Sequence, residues 1–488
     1  MISIKAILPL FLTGAALAAT TPDFSMIGFA NDDGGTTGGA GGAVVTPTTL
    51  AELKTYAENK TTPYIIRITK EFNTGVAVNI DASGFVASTG TATTYGAVIK
   101  LGSNKTLVGI GTSAFFNRIG IVVQTQSNII IRNIKFTMKD VPITNDGENK
   151  IVGWSGTAAV TLSDPDCIGI QADDTTIVEA SRFSKHIWVD HCEFYNEDPS
   201  VMTNVDRYDG LVDAKNNSTD ITISWCYFHD HHKASLIGKG NSDDYDRHIT
   251  YHHNYFKNIA SRLPLIRFGK CHLLNNYMIT SENGSNARIN SDLYIEANYY
   301  EASKKPVFGK ISEQGAATFV NNKWINCTRV PKIIYAAGDA PGSDTLTPAE
   351  ELLVGTFKPT YTYSSVLNAV ADVPATVMAW SGLGKISTTE YETSATSSSS
   401  VAVSSSSTPV QIGTPIQQAR DLSTYVTAKN GIMTIHAAPG TSIRVFNLLG
   451  IQLFTRTIPS RDYAFPMQLN RGTYLMQMGR TTGKIIIP

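Results

Sequence analysis

This chain is short of cysteine, of long apolar runs and of net charge, and each shortage removes a class of protein. Five cysteines in 488 residues do not lay out a disulfide framework, and an odd number leaves at least one thiol unpaired. The apolar run from Ala6 to Leu17 is too short to span a bilayer, and no later stretch reads as a transmembrane helix. Forty Lys and Arg against 41 Asp and Glu leave a formal charge of −1, so the chain as a whole shows no basic footprint for nucleic acid. Helical periodicity is missing too. The apolar segments Ile129-Ile-Ile131, Ile187-Trp-Val189, Ile221-Thr-Ile-Ser224 and His248-Ile-Thr-Tyr251 are short and β-branched, with no Leu-rich helical period.

What is present is a repeat. His191-Cys-Glu-Phe194, Trp225-Cys-Tyr-Phe228, His253-Asn-Tyr-Phe256, Asn275-Asn-Tyr-Met278, Ala297-Asn-Tyr-Tyr300 and Asn321-Asn-Lys-Trp324 share one template, and Asn133-Ile-Lys-Phe136 fits it earlier in the chain. The marks at 192, 226, 254, 276, 298 and 322 are separated by 34, 28, 22, 22 and 24 residues. A period in this range, built on short strands, predicts a solenoid: a right-handed, single-stranded parallel β-helix. Stacked coils place equivalent residues about 4.8 Å apart, so Asn254, Asn276, Asn298 and Asn322 are expected to hydrogen-bond along a ladder in one turn. Cys192 and Cys226 occupy adjacent positions of that column. They either bridge, against poor geometry for directly stacked residues, or stay as buried thiols.

The ends differ from the middle. Met1 to Ala19 carries Lys5, the apolar run and small residues at Ala16 and Ala18, the pattern of a secretory signal peptide, which predicts export. Residues 20–393 are assigned to the β-helix, expected to act as a monomer. Residues 394–413, rich in Ser, Ala, Thr and Val, form a flexible tether. Residues 414–488 alternate in strand fashion and hold eight Lys or Arg against Asp421 and Asp462, a charge of +6 that leaves −7 for the remainder. A small basic β-sandwich is the expected fold there.

The chemistry-bearing residues cluster in the repeat. Tyr208-Asp-Gly-Leu-Val-Asp213 puts Asp209 and Asp213 four apart, which on an extended strand aims both carboxylates the same way. A hard cation such as calcium offsets such a pair, and a solvated acidic face is the alternative. Lys233 follows 20 residues on, and Arg262 and Arg267 bracket Pro264 in the next unit. Arginine grips carboxylates through a rigid fork of donors, although either arginine could instead pair with Asp230 or Asp246. Two acids, a lysine and two arginines on consecutive coils describe a groove for a polyanion held partly through metal.

These residues carry a resemblance. Trp188-Val-Asp-His191, Asp209-Gly-Leu-Val-Asp-Ala-Lys215, His231-His-Lys233, Leu236-Ile-Gly238, Ile249-Thr-Tyr-His-His-Asn-Tyr-Phe256 and Arg262-Leu-Pro-Leu-Ile-Arg267 are similar to the pectate lyases of polysaccharide lyase family 1, over roughly residues 22 to 385. The resemblance implies that Asp209 and Asp213 bind Ca2+ and that Asp166, in Asp166-Cys-Ile-Gly-Ile170, is a third ligand. The path from that strand to Trp188 is longer than the family pattern and carries Asp173 and Asp174. It implies that Lys233 and Arg267 hold substrate carboxylates and that Arg262 is the base. The residues Gly472-Thr-Tyr-Leu-Met-Gln-Met478 and Lys484-Ile-Ile-Ile-Pro488 resemble C-terminal sorting domains of type IX secretion, so secretion machinery is an expected partner; a pectin-binding module is the alternative.

The implied reaction is β-elimination on polygalacturonate. The C5 hydrogen lies α to a carboxylate, and cations that neutralise this group favour its removal. A guanidinium stays charged to above pH 12, so an arginine base predicts an alkaline optimum. Three rivals stand beside this reading. A polygalacturonase-like hydrolase needs two acids flanking the bond and leaves Lys233 and Arg262 unexplained. A pectin lyase acting on methyl-esterified pectin has less need of the acidic pair. A non-catalytic polysaccharide-binding solenoid does not need Arg262. Asp190, Asp206, Asp220 and Asp243 are expected at corners and in loops rather than in acid/base roles.

Overall fold

The computed structural model describes residues 21–392, except 74–96, 140–150, 156–157, 164–165, 173–181, 203–204, 206–207, 333 and 335–345, and beyond them only strands between 420 and 487. The signal segment, the Ser-rich tether, Asp173, Asp174 and Asp206 lie outside the described residues.

The repeat folds into a parallel β-helix. One sheet of 11 strands stacks in coil order, with Ile129–Arg132, Ile187–Asp190, Ile221–Ser224, His248–His252, Gly269–Leu274 and Ser291–Glu296 each paired parallel to the next. A 17-stranded sheet forms the other walls. The first residue of each template ends a strand of the 11-stranded sheet by entering the left-handed region: Asn133, His191, Trp225, His253, Asn275, Ala297 and Asn321 all have φ between 49° and 57°. Asparagine visits this region readily, whereas Trp225 and Ala297 take it at a cost of about 1–2 kcal/mol, offset by the packing the sharp turn makes possible. That turn points the second template residue inward.

The expected asparagine ladder forms there. Asn254 N–H donates to Asn276 Oδ1 at 3.0 Å, Asn276 N–H to Asn298 Oδ1 at 2.8 Å and Asn298 N–H to Asn322 Oδ1 at 2.9 Å. Cys226 N–H extends the column by donating to Asn254 Oδ1 at 2.9 Å. Cys192 and Cys226 do not bridge: all five cysteines are buried free thiols, and these two donate to backbone carbonyls, as Asn254 Nδ2 does one coil away. Two residues further on, Phe136, Phe194, Phe228 and Phe256 stack face to face along the axis at 5.1, 5.0 and 4.7 Å between centroids. All four rings are buried in one core cluster, and each contributes about 1.5–3 kcal/mol by leaving water.

Two irregular segments cover the outer face of the 11-stranded sheet. Phe29 and Ala30 donate backbone N–H groups to Thr250 and Thr222. The segment after Phe357 runs back along the solenoid, with Asn368 bonded to Asn275 and His253, Gly384 N–H to Asn133 and Tyr391 O to Arg67. The helix Leu50–Ala57 begins with a capping box between Thr49 and Glu52, and its Leu53 and Ala57 join the solenoid core. In the tail, the described strands form a five-stranded and a three-stranded sheet, largely antiparallel, in which Ile435, Ile443, Val445 and Met476 are buried.

Candidate active site

The sequence-predicted residues converge on one wall. Four short strands lie side by side in coil order, Ile168–Gln171, Val212–Ala214, Leu236–Ile237 and Leu265–Ile266, so residues far apart in sequence become neighbours. Asp213 sits opposite Gly169, where a side chain would meet Asp166 Oδ2 at 3.0 Å, so the glycine leaves room for two carboxylates.

Asp209 reaches the site by a route that strand alternation does not describe. It lies ahead of the strand Val212–Ala214, in an irregular segment that folds back over Asp213. Gly210 permits the fold, because a side chain there would strike Asp213 Oδ1 at 2.0 Å; its N–H donates to Asp166 Oδ1 at 2.9 Å. The expectation of two carboxylates on one strand face is therefore corrected: a turn brings them together. His231, wholly buried, has its Nε2 2.7 Å from Asp209 O. Burial lowers its pKa to about 3, so it stays neutral and donates there, with Asn196 Nδ2 3.3 Å from its other ring nitrogen.

The carboxylates of Asp166, Asp209 and Asp213 each offer an oxygen within 4.8 Å of the others, with the first and last buried. Burial, and then the charge of Asp213, raises the Asp166 pKa well above the ordinary value; burial raises Asp213 as well. Lys215 answers part of this charge, with its Nζ 2.9 Å from Asp166 Oδ2 and 3.4 Å from Asp213 Oδ2. Burial opposes the Lys215 charge, but Asp166 and Asp213 outweigh it and raise its pKa. Asp213 Oδ2 is buried without a hydrogen-bond donor among the described residues, Lys215 being the nearest cation. Three carboxylates with an unsatisfied oxygen, no nitrogen or sulfur donor and fewer ammonium groups than carboxylates beside them fit a hard divalent cation such as calcium.

The cations line up beside them. Lys233 ends the strand Tyr227–Lys233, opposite Ser261 on the next coil, with its Nζ 3.8 Å from Asp209 Oδ1. Arg262 follows Ser261 at φ 65°, half-buried, and its guanidinium makes no hydrogen bond or ion pair among the described residues. Arg267 donates from NH1 to Gly238 O at 2.9 Å, and burial, followed by the charges of Arg288 and Arg262, lowers its pKa. Neither arginine pairs with Asp230 or Asp246, which instead engage His229 with Asn258 and Lys270. The arrangement puts an acidic cation seat against three cationic side chains, a surface able to hold an anionic polymer and move a proton.

The sequence model of the family described as pectate lyase matches residues 2–386. This chain belongs to the pectate lyase family. It is 35% identical over 366 residues to the pectate trisaccharide-lyase of Bacillus licheniformis, covering 75% of this chain and 88% of the relative. It is 32% identical over 312 residues to pectate lyase plyB of Emericella nidulans, covering 60% of this chain and 78% of that protein. Pectate lyase Bsp165PelA from Bacillus sp. N165, solved in complex with trigalacturonate, superposes with a TM-score of 0.52 at 26% identity, covering 74% of this chain and 99% of its own. The chain is accordingly a polysaccharide lyase built on the parallel β-helix of that family.

Several residues of the pectate lyase wall escaped sequence reasoning. Lys215 lies two residues after Asp213, the spacing that shares a strand face, and the Asp209-Gly210 dipeptide is a turn signal. Arg288 lies opposite Arg267 on the next coil and forms a two-pronged pair with Glu313, at 2.5 and 2.8 Å. Asp243 lies in a loop and Asp190 at a strand end before the turn at His191, as expected, but both are buried in ion pairs, with Arg247 and Arg132, which the sequence did not reveal.

Proposed function

We propose that this chain is a secreted, calcium-dependent pectate lyase that cleaves α-1,4-polygalacturonate by β-elimination and leaves 4,5-unsaturated oligogalacturonides. The observation that carries the reading is the convergence of Asp166, Asp209 and Asp213 within 4.8 Å, beside Lys233 and the stretch Arg262–Arg267. Asp166, Asp209 and Asp213 would hold Ca2+, which when bound neutralises the substrate carboxylate and stabilises negative charge on it. Lys233 and Arg267 hold galacturonate carboxylates, the lysine as a point charge and the arginine as a fork.

Arg262, in its deprotonated form, takes the C5 proton and becomes the guanidinium, which is why an alkaline optimum is expected. Its guanidinium is free of hydrogen bonds and ion pairs among the described residues, so no protein contact must break before it meets the sugar. The electron pair released at C5 forms the double bond to C4, and the C4–O bond breaks with its pair on the departing oxygen. A methyl-esterified substrate would gain little from three carboxylates and a bound cation, which favours the free acid. The basic tail is read as a separate unit, from about residue 414, serving export through type IX machinery or retention on pectin.

The test compares kinetics with direct binding. Arg262→Lys should lower kcat by about 10²- to 10⁴-fold with substrate affinity nearly unchanged, followed as ultraviolet absorbance of the unsaturated product. Arg267→Lys should raise KM instead. A fully active Arg262→Lys enzyme would remove Arg262 from the role of base.

A further inference from the structure

Beneath Arg267 lies a second charged unit that takes no part in the reaction above. Arg247 and Asp243 are buried, at 0% and 1% exposure, and Arg247 NH2 pairs with Asp243 Oδ1. Each partner also reaches into the wall of the groove. Arg247 NH1 donates to the main-chain oxygen of Arg267 at 2.9 Å. Asp243 Oδ2 accepts the N–H of Asn216 at 3.0 Å and the N–H of Lys239 at 2.8 Å. The pair therefore ties together the segments following Asp213, Lys233 and Arg267.

The packing around the pair is made for it. Gly238 has φ 77°, and a side chain there would meet both Arg247 NH1 and Arg267 O at 2.6 Å. Gly269 has φ 106°, and a side chain there would meet Arg247 O at 2.5 Å and its Cγ at 2.7 Å. Two glycines thus make way for one buried arginine. The oxygen of Gly238 also receives the Arg267 guanidinium, so Arg267 is held at both ends: its backbone by Arg247, its side chain by a residue next to Lys239, which Asp243 fixes. A buried ion pair adds little net stability over an apolar pair of similar size, so its geometry has more to offer than its energy.

We propose that the Asp243–Arg247 pair is a positioning device that presents the Arg267 fork to a substrate carboxylate, and so sets substrate affinity without touching substrate. The proposal rests on the reading of Arg267 as a carboxylate anchor. A freely hinged Arg267 would have to be ordered on binding, and that cost would appear in KM while the proton-transfer step at Arg262 stayed the same.

The experiment is a double-mutant cycle on polygalacturonate, with KM and kcat measured for the wild type, Arg247→Met, Arg267→Lys and the double variant. Loss of a charge-assisted contact is expected to raise KM about tenfold in each single variant, with the kcat of Arg247→Met within about twofold, and the KM of the double variant should be no worse than that of the worse single one. Asp243→Asn, which keeps the side chain's size but faces Arg247 with an amide, should reproduce the KM change and serves if Arg247→Met does not fold. A lower unfolding temperature with unchanged KM, or KM changes that multiply in the double variant, would show that the pair is only structural. If Arg267→Lys itself leaves KM unchanged, the anchor reading of Arg267 fails and the positioning proposal fails with it, an outcome distinct from the previous one.

Discussion

Replacing Asn276 with alanine tests the ladder that holds the coils in register. The Asn276 amide is fully used: Oδ1 accepts from Asn254 N–H and Asn254 Nδ2, each at 3.0 Å, while Nδ2 donates to Tyr251 O and Asn298 Oδ1, each at 2.9 Å. The site is completely buried, so water cannot take over. After Asn276→Ala, the Asn254 N–H has no acceptor, at about 1–3 kcal/mol, and the other three lost bonds contribute about 0.5–1 kcal/mol each, giving about 2.5–6 kcal/mol in all. Asn322→Ala likewise removes the acceptor of the Asn298 N–H, but Asn322 makes three such bonds rather than four and is 8% exposed, so water replaces part of the loss and the variant should cost less, about 1–3 kcal/mol. Urea unfolding followed by far-ultraviolet circular dichroism measures both, provided the slope with urea is unchanged. Equal losses for the two variants, or a loss below about 1 kcal/mol for Asn276→Ala, would refute the reasoning.

Other expectations follow from the same geometry. Chelation should abolish turnover and calcium restore it, and Asp213→Asn should weaken calcium binding by about tenfold or more in calorimetry; full activity in excess chelator would remove the metal from the mechanism. A chain ending near Ser394 should fold and cleave soluble polygalacturonate at close to the full rate, because the solenoid cluster from Leu53 to Leu352 buries its own core; loss of folding would make the tail a cap of the β-helix. Burial opposes the charge of Asp190, yet His191 and Arg132 hold its carboxyl at about 2, below the ordinary 3.8. A depressed folded-state value contributes stability that is complete above pH 4 and lost as pH falls toward 2, about 2 kcal/mol in size. Asp190→Asn should therefore flatten the acid limb of a stability-versus-pH curve, and an unchanged limb would show that the Asp190 charge contributes nothing.

The architecture was legible in the chain because each coil repeats a local instruction. A residue that tolerates φ near 50°, an inward Asn or Cys and an apolar residue two places later recur in register, and each is decided within a few residues of sequence. Stacking then follows, since only superposed coils satisfy the asparagine amides. The choice between bridged and free Cys192 and Cys226 was not local: it depended on how directly the coils superpose, which leaves both thiols bonded to carbonyls. The site was legible only as a roster of side chains. Asp166, Asp209 and Asp213 meet because two coils stack and because Gly210 lets the chain fold over Asp213, a contact between backbone and side chain that no periodicity encodes. The place of Lys215 among the carboxylates and of Arg247 beneath Arg267 was likewise settled by burial, which forces each charge to find a partner wherever the packed coils provide one.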